Sequence, residues 1–297
     1  MAGTSAGRVR RGLLAAVATL GLLAGCGGGS DDEGEAAGTG RATASEPRST
    51  TPPPSSAATP PPASTTATFP PSTTSPVPPS SPPAVPPALR GQDVEVVPTS
   101  QKLVALTFDA GANSAGLPSI LATLRDQRVP ATFFLTGQWA AGNPSQVQSI
   151  RAAGHRIGNH SMSHPYFTGL SAAQIGEQLT GAQQAIQAAG ADPRPLFRFP
   201  FGDRDARTIT AVNDLGYLPV RWTVDTLGWK GTSGGLSAQE VSDRAVNALQ
   251  PGAIVLMHIG SNPDDGTTLD ADALPGMINR MRGASYSFVT LDSLLGH

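Results

Sequence analysis

The chain has 297 residues, a formal net charge of −2 and one cysteine, Cys26. Residues 93–297 carry no basic block, which excludes a nucleic-acid partner, and no cysteine, which excludes a disulfide or catalytic thiolate there. Sixteen of the 28 prolines fall between residues 47 and 87, in a stretch of Ser, Thr and Ala whose only aromatic is Phe69, so too little apolar surface is available there to offset ordering entropy.

In chain order, Arg8, Arg10 and Arg11 precede an apolar run, 13–24, which has the length of a signal-peptide core and is too short to span a bilayer comfortably. The run ends Leu23-Ala24-Gly25-Cys26, which resembles a bacterial lipobox. Residues 1–25 are therefore expected to be a signal peptide and Cys26 the lipid attachment site; an ordinary secreted protein cut nearby is the alternative. Arg10-Arg11 is a weak hint of twin-arginine export. Residues 26–92 read as a tether, first Gly-rich and acidic (Asp31, Asp32, Glu33, Glu35), then Pro/Ser/Thr-rich and partly extended as polyproline II. The folded domain is expected over 93–297, with all three Trp and all three Tyr.

That domain alternates. Strand-like runs at 103–109, 131–136, 156–159, 196–200, 218–225, 253–258 and 286–291 are separated by helical patterns near 117–125, 145–153, 172–189, 206–215, 238–249 and 273–282. Such alternation predicts an α/β fold with parallel strands and right-handed crossovers, as a distorted, incomplete barrel of seven or eight strands or as an open doubly wound sheet. Phe108-Asp109-Ala110-Gly111 matches no phosphate-loop pattern.

Chemistry-bearing residues gather at the strand ends, where parallel α/β folds place their sites. Asp109 ends the first strand and is either a catalyst or a cap for the helix that follows. His160 and His164 are four apart, a spacing that on one helical turn puts both imidazoles on one side for a metal such as zinc, copper, nickel or iron. Arg198 is a candidate to orient a carboxylate or to form a structural ion pair, and backbone near Phe201 is a candidate oxyanion donor. Asp225 lies four residues before Trp229, whose flat face suits a sugar ring, while Trp222 is expected in the core. His258 closes the apolar strand containing Leu256 and is a candidate proton donor, a lone strand-end His being otherwise structural. The loop 262–270, with Asp264 and Asp265, is expected to border the cleft with solvated carboxylates.

Thr-Phe-Asp (107–109), His-Ser-x-x-His (160–164), Arg-x-Pro-Phe-Gly (198–202), Asp-x-x-x-Trp (225–229) and Leu-x-His (256–258), in this order, resemble the polysaccharide deacetylases of the NodB-homology family, carbohydrate esterase family 4. The resemblance covers about residues 101–295. It implies a metal-dependent hydrolase removing N-acetyl groups from amino sugars of peptidoglycan or a chitin-like glycan. Asp109 would be the general base, His258 the general acid, Arg198 the holder of Asp109, and His160 and His164 metal ligands. Trp229 and Leu256 would shape the acetyl pocket. Zinc is the expected metal, with cobalt, nickel or manganese as substitutes. The family usually has an Asp metal ligand where this chain has Ala110, and an Asp supporting the acid His where it has Gly228. Asn113, Asp205 or Asp109 itself is a candidate to replace the first, Asp225 the second. The alternative is a non-catalytic glycan-binding lipoprotein of the same fold. Either way the expectation is a monomer on the outer face of the cell membrane, anchored at Cys26, with its domain extended toward the cell wall.

Overall fold

The computed structural model describes residues 85–296. The expected signal peptide, Cys26, the part of the expected tether before residue 85 and His297 lie outside the described residues. Among the described residues no helix is long and apolar enough to cross a membrane.

The sheet is built of eight short strands, all its pairings parallel: β1 (Leu103–Ala110), β2 (Thr132–Leu135), β3 (Arg156–Asn159), β4 (Leu196–Phe197), β5 (Leu218–Pro219), β6 (Val224–Asp225), β7 (Ala253–His258) and β8 (Ser287–Val289). Their order is β5-β4-β3-β2-β1-β7-β6, with β8 also pairing β1. β7 runs along β1 from Val104 to Asp109, so β8 (at 103–105) and β2 (at 107–110) share the other edge. The sheet curls without closing. Residues 94–97 bridge the gap between its ends, Val94 pairing Val220 and Val96 pairing Ala253. This is the incomplete barrel expected from the alternation.

β1 is buried on both faces, which is why it reads as an apolar run. Its alternate residues serve different cores. Val104, Leu106, Phe108 and Ala110 pack under the surrounding helices with Leu117, Ile120 and Leu124 of α1 (Leu117–Gln127). Ala105 faces the interior with Phe134, Ile254, Val220 and Leu291. Each Leu, Ile or Phe buried in these layers contributes about 1.5–3 kcal/mol. The remaining helices are α2 (Gly137–Gly142), α3 (Pro144–Ala152), α4 (Ala172–Ala188), α5 (Ala206–Asp214), α6 (Ala238–Asn247) and α7 (Leu269–Gly283). α4 starts at a capping box between Ser171 and Gln174 and buries Ile175, Leu179, Ala182 and Ile186, a 3–4 spacing that turns one stripe inward.

The structure departs from the sequence reading in several element boundaries. Residues 85–92 belong to the domain, since Val85 is buried in the interior core and Gly91 N–H donates to Asn213 Oδ1. The expected strand 218–225 is two strands at opposite ends of the sheet. The carbonyls of Val220 and Arg221 turn to the Arg198 guanidinium (3.1 and 2.9 Å), so the chain leaves β4 and rejoins the sheet beside β7. Finally, α7 begins at Leu269 and carries Pro275 inside it, the residue that makes a later start look natural.

Candidate active site

The strand ends converge on a cleft of about 520 Å³ lined by Asp109, His160, His164, Phe201, Asp225, Trp229, Leu256 and His258, with Gly111, Ala112, Phe199 and Trp222. A larger hollow of about 710 Å³ lies between α1 and the end of α3; its imidazole, His155, has no carboxylate beside it, so the chemistry belongs to the smaller cleft.

Asp109 leaves β1 on the interior side, 7 % exposed, and does not cap α1, whose N-cap is Gly116. Beneath it lies Arg198, fully buried, with Nη1 donating to Asp109 Oδ1 at 2.8 Å and the guanidinium 4.2 Å from the Phe134 ring centroid. Its other donors reach the two carbonyls that split β5 from β6. Burial opposes ionisation of Asp109, but Arg198, with His160 and His258, outweighs it and holds the carboxyl below the usual carboxylate range.

His160 and His164 do not share a helical turn. They sit in a tight loop with Ser161 and His164 at positive φ (68° and 61°), held by Ser161 Oγ accepting His164 N–H and by α2, whose Gly137 N–H donates to the Ser161 carbonyl. The rings still meet edge to face, centroids 4.8 Å apart. The Arg198 carbonyl lies 2.9 Å from His160 Nδ1 and can only accept, so that nitrogen carries the proton. Burial keeps His160 below the ordinary imidazole value despite Asp109. Its bare Nε2 then faces Asp109 Oδ2 at 3.3 Å, lone pair against lone pair, a contact that a cation between them would satisfy. Burial, then His160, pushes His164 down to about 4, so this ring too is neutral at neutral pH. Two neutral imidazoles and one carboxylate suit a divalent cation in chemistry. They do not form a preformed cage, since among the described residues no group of three or more His, Cys, Asp or Glu converges on one point.

The substitutes for the missing ligand are engaged elsewhere. Asn113 Oδ1 accepts from Ala115 N–H and Ser261 N–H (3.1 and 2.9 Å), and Asp205 caps α5 through Thr208 N–H (2.7 Å). Ala110 does not line the cleft; its methyl group is buried in the layer under the helices.

His258 is paired with Asp109 across β1 and β7, and its side chain is 30 % exposed. Burial would depress this imidazole, but carboxylates, Asp270 first, then Asp109 and Asp225, raise it above the ordinary value. Asp225 is not its direct partner: its carboxylate takes Leu227 N–H (2.8 Å) and Trp229 Nε1–H (3.3 Å). The partner is Asp270, in the first turn of α7, inside the segment expected to be a solvated loop. Asp265 is no free loop carboxylate either, since it binds Thr232, Ser233 and Thr267 and is held well below the usual carboxylate range by those hydrogen bonds.

Trp229 is half-exposed over the cleft, whereas Leu256 is buried in its floor. Trp222 packs against the interior core and also lines the cleft. Phe201, at φ 58°, is exposed and stacks on Tyr166 at 4.2 Å. Of the six non-glycine residues at positive φ among the described residues, Ser161, His164, Phe201 and Leu227 flank the cleft, a clustering typical of constrained functional loops. Sequence reasoning missed Asp270 and Tyr166; the only available signals were an acidic residue in a first helical turn and an aromatic two residues after His164.

A curled parallel barrel with a guanidinium-held carboxylate, two neutral histidines and a third imidazole at its strand ends defines a class of barrel domains. Within that class, a family model described as polysaccharide deacetylase matches residues 96–220. A peptidoglycan-N-acetylglucosamine deacetylase of Bacillus cereus is 32% identical over 198 residues, covering 66% of this chain and 70% of that protein. The peptidoglycan-N-acetylglucosamine deacetylase PgdA of Listeria monocytogenes is 33% identical over 198 residues, and there the chain spans only 40% of the relative's length. A solved structure of a carbohydrate esterase family 4 pseudoenzyme from Bacillus anthracis has a TM-score of 0.59 at 32% identity, covering 66% of both chains. The chain belongs to the polysaccharide deacetylase family, the NodB-homology group of carbohydrate esterase family 4.

Proposed function

We propose that this chain hydrolyses the N-acetyl amide of amino-sugar residues in a cell-wall or extracellular polysaccharide, peptidoglycan or a chitin-like glycan. The observation that carries the reading is the pairing of Asp109 and His258 on adjacent strands of one cleft, one carboxyl held low and one imidazole held high. Opposed protonation states at one site are what an acid–base hydrolysis requires. Asp109, oriented by Arg198, takes a proton from the attacking water. The carbon–nitrogen bond breaks as His258 gives its proton to the departing nitrogen, leaving acetate and a free amine. Backbone near Phe201 offers a place for the oxyanion, and Trp229, Leu256 and Asp225 shape the acetyl and sugar pocket. A divalent metal, zinc foremost with cobalt, nickel or manganese as substitutes, would be held by His160 and His164 with Asp109 alongside, and would supply Lewis-acid polarisation of the amide carbonyl.

The domain acts outside the cell, held to the membrane by a lipid on Cys26 and reaching the wall as a monomer on its Pro/Ser/Thr-rich tether. Acetate release from peptidoglycan and chitooligosaccharides tests the activity. It is expected to need divalent metal and to fall ~10²–10⁴-fold in Asp109→Asn and in His258→Ala. Full activity in either variant would sink the mechanism.

A second reading, a glycan-binding lipoprotein without catalysis, draws support from Ala110, which stands where the family usually has an aspartate metal ligand. It predicts glycan binding that a chelator leaves unchanged and no acetate from any glycan.

A further inference from the structure

We propose that Asp270 is the positioning residue for the His258 imidazole, and that Gly228 is the condition for its doing so. The assignment rests on the hydrolytic reading above for its catalytic consequence, and on geometry alone for the contact itself.

Asp270 is 3 % exposed and reaches the strand end from the first turn of α7, a different segment of chain from Asp225 and Trp229. A carboxylate so far from water needs partners. Oδ1 accepts the Thr226 hydroxyl at 2.6 Å, and Oδ2 accepts the backbone N–H of His258 at 2.9 Å. The same Oδ2 lies 3.7 Å from His258 Nδ1, which has no hydrogen-bond partner of its own. That separation is an ionic contact rather than a hydrogen bond, with no other polar group competing for Nδ1. With Nδ1 facing Asp270, the other nitrogen, Nε2, is left for the substrate side.

Gly228 makes room for this carboxylate. A Cβ at position 228 would lie 2.3 Å from Asp270 Oδ1 and 2.5 Å from its Cγ, closer than real atoms approach. Any side chain at 228 therefore points into the place the Asp270 carboxylate occupies. The two positions are alternative routes for delivering one group to one spot, and this chain uses the helix route. A carboxylate there favours the Nδ1–H tautomer and, once the ring is protonated, holds the imidazolium with its Nε2–H ready for transfer.

The test uses the whole chain with its divalent metal, acetate release from peptidoglycan, and nitrogen-15 NMR of the histidine rings to read the His258 tautomer. In wild type His258 is expected as the Nδ1–H tautomer; Asp270→Asn shifts it toward Nε2–H and lowers kcat about 10²-fold with KM within about twofold, because only the transition-state role is lost. Gly228→Asp alone is impaired by the collision. Gly228→Asp combined with Asp270→Gly restores the Nδ1–H tautomer and recovers kcat to within about tenfold of wild type, the non-additivity expected of two residues sharing one site. An Asp270→Asn protein with wild-type tautomer and kcat overturns the proposal, as does a folded double variant no better than Asp270→Asn. If wild type releases no acetate from any glycan, the functional reading fails, and the tautomer comparison still decides whether Asp270 sets the ring.

Discussion

Arg198 Nη1 donates to Asp109 Oδ1 at 2.8 Å from a guanidinium with no solvent exposure, and Nε and Nη2 of the same group bind the carbonyls of Val220 and Arg221. One side chain therefore fixes the carboxylate and diverts the backbone between β5 and β6. Removing it leaves a buried carboxylate and two carbonyls unsatisfied. Arg198→Met is expected to destabilise the domain by about 3–5 kcal/mol, the cost of breaking a buried ion pair from one side. Asp109→Asn added to it should recover part of that loss in urea unfolding; a neutral single variant would mean that the pair is not what orders this strand end.

The opposed states of Asp109 and His258 set a pH profile. Asp109, held below the usual range, stays ionised at and above pH ~4. His258, raised above the ordinary imidazole value by Asp270 and its neighbouring carboxylates, keeps its proton to higher pH than a free imidazole does and then loses it. The rate is therefore expected to fall on the alkaline side, with a limb that moves to lower pH in Asp270→Asn. An unchanged alkaline limb in that variant would separate the limb from His258.

His160 and His164 give the opposite sign. Both are depressed, His164 to about 4, so the native state refuses protons that the unfolded chain accepts. Their contribution to stability is full above the unfolded value of ~6.5 and is lost as pH falls from there toward the folded values. Metal affinity should follow: nearly flat between pH ~8 and ~6, then collapsing below ~5 as protons compete for the ring nitrogens. Affinity falling by more than a full proton's slope already at pH ~6 would show that neither ring is held neutral by burial. Metal titration at fixed ionic strength reads this directly.

How far the sequence could take this site is clear residue by residue. Asp109, His160, His164, Phe201, Asp225, Trp229, Leu256 and His258 were each nameable because they end apolar strands or sit just beyond them, and they share one cleft lying over Arg198. The barrel followed from strand–helix alternation for the same reason, since hydrophobic period is local. Asp270 was not nameable, because its role depends on α7 crossing the end of β7 and on an absent side chain at Gly228, neither of which is a local pattern. The division of 218–225 was hidden likewise: its cause is a guanidinium more than twenty residues away in sequence. The four-residue spacing of His160 and His164 suggested a helix, yet the loop reaches the same juxtaposition with two left-handed residues.

Trp229 is half-exposed, its indole N–H tied to Asp225 at 3.3 Å, so its face is held toward the cleft without supporting the core. Trp229→Ala is expected to leave unfolding within ~0.5 kcal/mol of wild type, as for other exposed positions. It should weaken glycan binding about 2- to 10-fold, the range of ~0.5–1.5 kcal/mol for one aromatic contact. Equal affinity in the variant would remove Trp229 from the sugar pocket.

Ala110 yields the sharpest test of how β1 ends. Side chains alternate along a strand, so with Asp109 in the cleft the neighbouring methyl group points into the apolar layer under the helices, where it is fully buried. A carboxylate placed there has no water and no partner. In the presence of a chelator, Ala110→Asp is expected to lose at least about 2 kcal/mol, the cost of an unpaired buried polar group. Ala110→Ser should lose less, since a hydroxyl can turn to a nearby carbonyl. Adding zinc should raise the melting temperature of wild type and of Ala110→Asp by similar amounts if position 110 faces the helices. A much larger gain in the Asp variant would mean that this strand end turns its side chain into the cleft, and would overturn the outward placement of Ala110.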